Sequence, residues 1–138
     1  MASGDRHVML ALGNLMAESR EHLLVRAGSE LRPSHHRVIG HVPPEGITVT
    51  ELAERVGMTK QGTGQFVQQL TDSGHLRTTV HRQDKRLRII RRTSKGDASV
   101  RQLAGVLAEL EERWAEQVGR ARYRQFRDVL DQLTEPSQ

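Results

Sequence analysis

TVTELAERVGMTKQGTGQFVQQLTDSGHLRTTVHRQDKRLRIIRRTSKG, running from Thr48 to Gly96, decides the fold of this 138-residue chain. Thr48 stands three residues before Glu51, the capping-box spacing in which a hydroxyl and a carboxylate satisfy orphan backbone donors at a helix start. A first helix therefore begins here. Leu52, Ala53 and Val56 give it one apolar edge, and Gly57 supplies the left-handed conformation that ends a helix at low steric cost. Beyond Met58, Thr59 is a good cap for a second helix. That helix, over 59–72, carries Thr63, Phe66, Val67 and Leu70 on one side and Lys60, Gln61, Gln65, Gln68 and Gln69 mostly on the other, as a 3.6-residue period requires. Ala53 is small enough for the two helices to cross closely. Taken alone, the polar face suits a solvated surface helix. It is also rich in amides and poor in acids, and glutamine pairs with adenine in the major groove while lysine bonds guanine or neutralises phosphate.

The next segment favours the second reading. Asp72, Ser73 and Gly74 form a turn, after which Leu76, Thr78 and Val80 alternate with polar residues, as Ile90 does with its neighbours further on. Two short antiparallel strands result. From Arg77 to Lys95 the bases are Arg77, Arg82, Lys85, Arg86, Arg88, Arg91, Arg92 and Lys95, and Asp84 is the only acid. Self-repulsion of that density costs stability in the free protein and points to an anionic partner. A hairpin tip carrying arginine suits a minor groove, where a narrow A·T-rich tract concentrates negative potential. Asp84, two residues from Arg86, is placed to orient its guanidinium. Two helices across a glycine turn followed by a cationic hairpin outline a winged helix-turn-helix.

The chain resembles the multiple-antibiotic-resistance regulator (MarR) family of bacterial transcription factors. The resemblance lies in Glu51-Leu52-Ala53-Glu54-Arg55-Val56-Gly57-Met58-Thr59, in the helix ending at Leu70 and Gly74, and in Asp84-Lys85-Arg86 running into Thr93-Ser94-Lys95-Gly96. It implies a mainly α fold with a small β-hairpin (α+β), a winged helix-turn-helix with N- and C-terminal dimerisation helices. It further implies that helix 59–72 enters the major groove and that Arg86, supported by Asp84, enters the minor groove from a wing over 81–88. The expected DNA contacts are Thr59, Lys60, Gln61, Gly64, Gln65 and Gln68 on the helix, with Arg82, Asp84, Lys85, Arg86 and Arg88 on the wing. Thr63 stands where the family usually has an aliphatic residue, and Arg92 where it usually has leucine, so the arginine stem must snorkel or find an acid. Gly62 and Gly64 each cost the recognition helix about 0.8 to 1 kcal/mol relative to alanine. Either the helix is loosely formed without DNA, or a missing side chain lets its backbone approach the duplex.

The flanks read as helices. Over roughly 5–29, Val8, Leu12, Leu15, Met16, Ser19, Leu23 and Arg26 form a stripe that Met9, Leu24 and Ala27 widen. Pro33 and Ser34 open a short helix through His41, and Pro43-Pro44-Glu45-Gly46 is a turn before a short strand around Ile47. Thr93 caps a long helix through Leu103, Val106, Leu107, Leu110, Trp114 and Val118. Gly119 breaks or bends it, and Phe126, Val129, Leu130 and Leu133 line a last helix before Pro136. The chain is expected to be one domain over 1–138, with a DNA-binding lobe at 33–96 and a dimerisation lobe from 5–29 and 97–135. A small lobe cannot cover so much apolar surface, so a second copy of the chain is the expected partner of the terminal helices. A symmetric dimer would set its recognition helices about 34 to 36 Å apart and select a palindromic operator.

Composition narrows the alternatives. The net charge of +4 is uneven, with bases in the wing and Glu109, Glu111, Glu112 and Glu116 in the helix beyond it. Aromatics at 3% disfavour a stacking platform for single strands or RNA loops. Without cysteine there is no disulfide, thiolate metal site or cysteine-based oxidant switch. The apolar run from Val8 to Ala17 is broken by Asn14, passes into Glu18, Arg20 and Glu21, and lacks a convincing cleavage site, so a cytoplasmic location is expected. No segment is long enough to span a membrane.

No constellation for catalysis stands out, and neither enzyme activity nor a cofactor is expected. Of seven histidines, His36 and His41 with Glu18 or His22 sketch a zinc shell, but His36 to His41 is a poor i, i+5 spacing. A histidine-dependent metalloprotein and a basic module for RNA or an acidic protein are the competing readings. Relatives commonly bind small aromatic acids or phenols between the dimerisation helices and the DNA-reading lobe. By that resemblance Arg20, His36 and Arg37 are the candidate polar anchors for an effector. The leading expectation is a homodimeric repressor of transcription that reads a double-stranded operator.

Overall fold

Three threonines set the helix starts around which the chain is organised. Thr48 Oγ1 accepts the N–H of Glu51 at 3.3 Å, Thr59 Oγ1 that of Gly62 at 3.0 Å, and Thr93 Oγ1 that of Gly96 at 3.1 Å. Among the described residues only the hydroxyl half of the capping box at Thr48 is formed, since the exposed Glu51 side chain makes no return bond. The computed structural model describes residues 6–26 and 31–135. Its elements in chain order are α1 (Val8–Arg26), α2 (Pro33–Gly40), α3 (Val49–Val56), α4 (Lys60–Asp72), β1 (Leu76–Val80), β2 (Arg88–Arg92), α5 (Ser94–Val118) and α6 (Arg120–Thr134). The expected positions Asp5, Ala27 to Ser29 and Pro136 lie outside the described residues.

The fold is mainly α with one antiparallel hairpin, a winged helix-turn-helix between terminal helices. Val38 and Ile39 of α2, Leu52 and Val56 of α3, Leu70 of α4 and Leu76 of β1 form a single buried core with Val42 and Ile47. Gly57 ends α3 at φ 69°, as a left-handed cap must. The hairpin pairs Leu76 with Arg92 through to Val80 with Arg88, and Ile47 adds a short bridge to Ile90. Only Leu76 and Ile90 of the two strands are buried, because the rest of the hairpin projects beyond the core. Arg92, the unexpected base, pairs with Asp97 in the first turn of α5 at 3.1 Å. Its Nε–H is not aimed for a hydrogen bond, so the attraction is chiefly between charges.

Helix α4, the hairpin and α5 converge on one carbonyl. The oxygen of His75 accepts the N–H of Thr93 at 3.1 Å, and a Cβ placed on Gly96 would overlap that same oxygen. Thr93 Oγ1 donates to Gly74 O at 2.5 Å and Lys95 Nζ to Ser73 O at 2.8 Å. The C-terminal end of α4 is thereby fastened to the N-terminal turn of α5.

The terminal helices are less well covered. Leu12, Leu15, Ser19 and Leu23 of α1 are half-buried, while Val8, Met9, Leu10, Met16, Leu24 and Val25 are exposed, and no residue of α1 or α6 is fully buried. Each such side chain forgoes about 1.5 to 3 kcal/mol that burial would supply. Arg26 bonds Glu109 at 2.8 Å and the Trp114 indole N–H meets Glu18 at 3.4 Å, joining α1 to α5. Gly119, at φ 97°, breaks α5 from α6. The second helix folds back through Tyr123 Oη donating to Glu111 at 2.7 Å, Arg127 at 3.1 Å from the same carboxylate, and an Arg120–Glu112 pair. Burial, reinforced by Glu111, pushes the Tyr123 phenol up to about 12, so it remains a donor.

Two substitutions should move stability in opposite directions. Gly96→Ala forces a methyl against the His75 carbonyl and should lower the unfolding free energy by about 1 to 3 kcal/mol. Thr63 is fully buried with its hydroxyl unpartnered among the described residues, so Thr63→Val should raise stability by about 1 kcal/mol. Urea unfolding at one protein concentration reads both, and a Gly96→Ala protein as stable as the parent would contradict the joint.

Candidate nucleic-acid interface

Helix α4 exposes the face that its sequence pattern separates from the core. Lys60, Gln61, Gln65, Gln68 and Gln69 are exposed, and Thr63, Val67 and Leu70 are buried. No acid occurs between Lys60 and Thr71. Thr59 has its hydroxyl engaged in the cap, and Gln68 Nε2 donates to Asp72 at 2.9 Å, which settles its amide along the helix. Gly64 lies between Gln61 and Gln68 on this face, with open space where its Cβ would be. Gly62 is tighter, its Cβ position falling 3.0 Å from Thr59 Oγ1. Both glycines are accommodated in an unbroken helix.

Alpha-helix α2 braces this element. His35 accepts the N–H of Arg32 at Nδ1 (3.2 Å), which places its proton on Nε2, and Nε2–H donates to Gln69 Oε1 at 2.7 Å. The same ring meets Phe66 edge-on at 5.2 Å. Gln69 is therefore occupied within the protein, and a histidine with no motif around it supports α4. Pairing between residues 34 positions apart leaves no local sequence signal.

The wing carries Arg82, Lys85, Arg86 and Arg88 exposed to solvent. Asp84 is half-buried, and its Oδ1 accepts the backbone N–H of Arg86 at 3.0 Å. The Arg86 Nε lies farther away, at 3.8 Å, and that side chain is 95% exposed. Asp84 thus shapes the backbone beneath Arg86 more than it clamps the guanidinium. His81 Nδ1 accepts the N–H groups of Gln83 and Asp84, each at 3.1 Å. Sequence reading passed over His81 because turns are ordinarily nucleated by the shorter side chains of Asp, Asn or Ser.

The three candidate effector anchors part company. His36 is buried and borders a small recess of about 10 Å³ with Leu23, Leu24, Leu31 and Pro33, between α1 and α2. Arg20 is exposed on α1. Arg37 is not among the residues lining that recess, and it donates from Nη2 to Val56 O. The last carbonyls of α3 lack intrahelical partners and form the negative end of the helix dipole, so a neighbouring guanidinium is drawn there. His41 is similarly engaged, its Nδ1 bonded to Arg37 O at 2.7 Å. Among the described residues no three histidine or acidic side chains gather as a metal site.

Comparison with known proteins gives one consistent relationship. A model of the MarR family matches residues 29–87. The HTH-type transcriptional regulator PetP of Rhodobacter capsulatus is 32% identical over 105 residues, covering 75% of this chain and 63% of that protein. The chain therefore spans less than two thirds of the length of that relative. Among solved structures, MarR superposes with a TM-score of 0.85 at 18% identity, over 98% of this chain and 93% of its own. The repressor CouR, bound to a DNA duplex, gives 0.79 at 23% identity over 98% and 99%. PcaV of Streptomyces coelicolor, in complex with its natural ligand, gives 0.74 at 20% identity over all of both chains.

The recess residue His36 provides a pH-dependent signature. Burial, and then the charges of His35 and His75, hold its pKa below the ordinary 6.5. The unfolded chain therefore binds more protons than the folded one between the depressed value and 6.5, and stability rises with pH across that window. It is lost as pH falls from 6.5 through the depressed value. Thermal unfolding from pH 8 to 5 should show this decline, and His36→Gln should flatten it. An unchanged pH profile in His36→Gln would rule His36 out as the source.

Proposed function

The chain belongs to the MarR family, and from that premise we propose that it is a homodimeric, non-enzymatic transcriptional regulator of double-stranded DNA. In this reading α4 lies in the major groove, with Thr59, Lys60, Gln61, Gly64, Gln65 and Gln68 at the interface. The wing over 81–88 enters the minor groove with Arg82, Asp84, Lys85, Arg86 and Arg88. One observation carries the proposal: a single lobe with one buried core presents an acid-free amide face beside a hairpin tip crowded with exposed arginine. Each feature alone suits a solvated surface, but their conjunction suits a polyanion with two grooves.

The partner of the terminal helices is a second copy. Apolar side chains at Val8, Met9, Met16, Val129 and Leu133 are exposed on α1 and α6, outside the lobe that holds the DNA-reading elements. Residues 5–29 and 97–135 thus form the dimerisation lobe and 33–96 the DNA-binding lobe. The proposed action is repression, relieved by a small aromatic or phenolic effector; its support is that the repressor CouR is known both on a DNA duplex and with p-coumaroyl-CoA, and PcaV with its natural ligand. An effector acts only through its different affinities for the DNA-competent and DNA-incompetent dimers.

Selection from random-sequence duplex followed by gel shift tests the proposal. Binding should weaken steeply with salt yet favour its best site by roughly 10³-fold over random duplex. Arg86→Ala should weaken that binding by about tenfold or more with no change in unfolding temperature, whereas Gln65→Ala should alter base preference by about 1 to 3 kcal/mol at one position of each half-site. Equal affinity of the parent and Arg86→Ala would remove the wing from the interface. Preference for RNA over every duplex would replace the reading altogether.

A further inference from the structure

We infer that His81 is the positioning residue of the wing, its unprotonated Nδ1 gathering the backbone N–H groups of Gln83 and Asp84 so that Arg86 is held forward for the minor groove. The inference deepens the DNA-reading function proposed above and rests on it for its consequence, though not for its geometry. Beyond the β1–β2 ladder the tip has few partners of its own. His81 N–H donates to Leu87 O at 2.9 Å, and Leu87 N–H donates to Asp84 O at 3.0 Å. Three further tip donors are taken by side chains: Gln83 and Asp84 by the His81 ring at 3.1 Å each, and Arg86 by Asp84 Oδ1 at 3.0 Å.

These bonds form a sequence of dependence. The imidazole fixes the backbone of Asp84, and the carboxylate of Asp84 then fixes the backbone of Arg86. With its side chain 95% exposed and its Nε 3.8 Å from Asp84, Arg86 is aimed by its backbone. Removing the ring acceptor returns two amides to water and frees the turn that carries the arginine, an entropy that DNA binding would then have to recover. Acceptance at Nδ1 requires the proton to be on Nε2, and an imidazolium, protonated at both nitrogens, cannot serve. The direct alternative is that the ring reaches DNA through Nε2. The two roles use opposite nitrogens and can be separated by isosteres, because asparagine places an accepting amide oxygen near the Nδ1 position and glutamine a donating amide N–H near Nε2.

The test compares full-length His81→Asn, His81→Gln and His81→Ala with the parent. Amide hydrogen exchange at Gln83 and Asp84 is followed by NMR in the free protein, and affinity is measured for a duplex recovered by selection from random-sequence DNA. We expect His81→Asn to stay within about threefold of the parent in affinity. His81→Ala and His81→Gln should bind about tenfold more weakly and exchange both amides about tenfold faster, with core amides unchanged. Placed in an Arg86→Ala background, His81→Ala should cost less than about twofold further, the mark of a residue acting through Arg86. Retention by His81→Gln with loss in His81→Asn would assign the ring to DNA contact and overturn the inference, as would unchanged exchange at the two amides in His81→Ala. Should selection recover no preferred duplex, the regulatory function fails, and the exchange data alone still decide whether His81 orders the wing.

Discussion

The contact between the His75 carbonyl and the α5 N-terminus is the constraint on which the rest of the molecule depends. That oxygen takes the Thr93 N–H and leaves no room for a side chain at Gly96. Because His75 follows α4 and precedes β1, while Thr93 follows β2 and caps α5, four pieces of backbone are fixed by one close approach. A helix fastened in this way cannot reorient alone. Any displacement of α5 against a second copy would be carried to α4 and the wing together, which is the mechanical requirement for a regulator whose two reading heads must match two half-sites.

Order in the wing is purchased with side chains where the backbone ladder has run out. The hairpin stands clear of the core, with only Leu76 and Ile90 buried, so packing contributes little to its tip. His81 and Asp84 substitute for ladder partners, and at the root Arg92 is tied to Asp97. The repulsion among the exposed bases opposes this order and is relieved only by an anion. A tip held open in advance loses less conformational freedom on binding than one that must first form.

Features governed by neighbouring residues were legible in the sequence. Thr48, Thr59 and Thr93 announce their helices because a cap needs only a side-chain oxygen and an N–H two or three residues on. Gly57 and Gly119 mark their helix ends, and the 3.6-residue period of α4 separates its buried and exposed faces as expected. What escaped depends on distant packing. Arg37 meets the last carbonyl of α3 across 19 positions and His35 meets Gln69 across 34, so neither contact leaves a local pattern. Asp97 lies only five residues from Arg92, yet the pairing depends on the chain reversing from strand to helix at Thr93. The placement of the proposed DNA contacts follows from these supports as much as from the contacting residues themselves.

The central claim is that paired subunits grip successive grooves of one duplex, and hydroxyl-radical footprinting of both strands of a selected site tests it most directly. The account predicts protections arranged about a two-fold axis, with half-site centres about 10 to 10.5 base pairs apart or a multiple of that spacing, each flanked by a minor-groove tract where the wing lies. A single unsymmetrical patch, or protection confined to the major-groove segments with the flanking minor grooves fully cleaved, would contradict it.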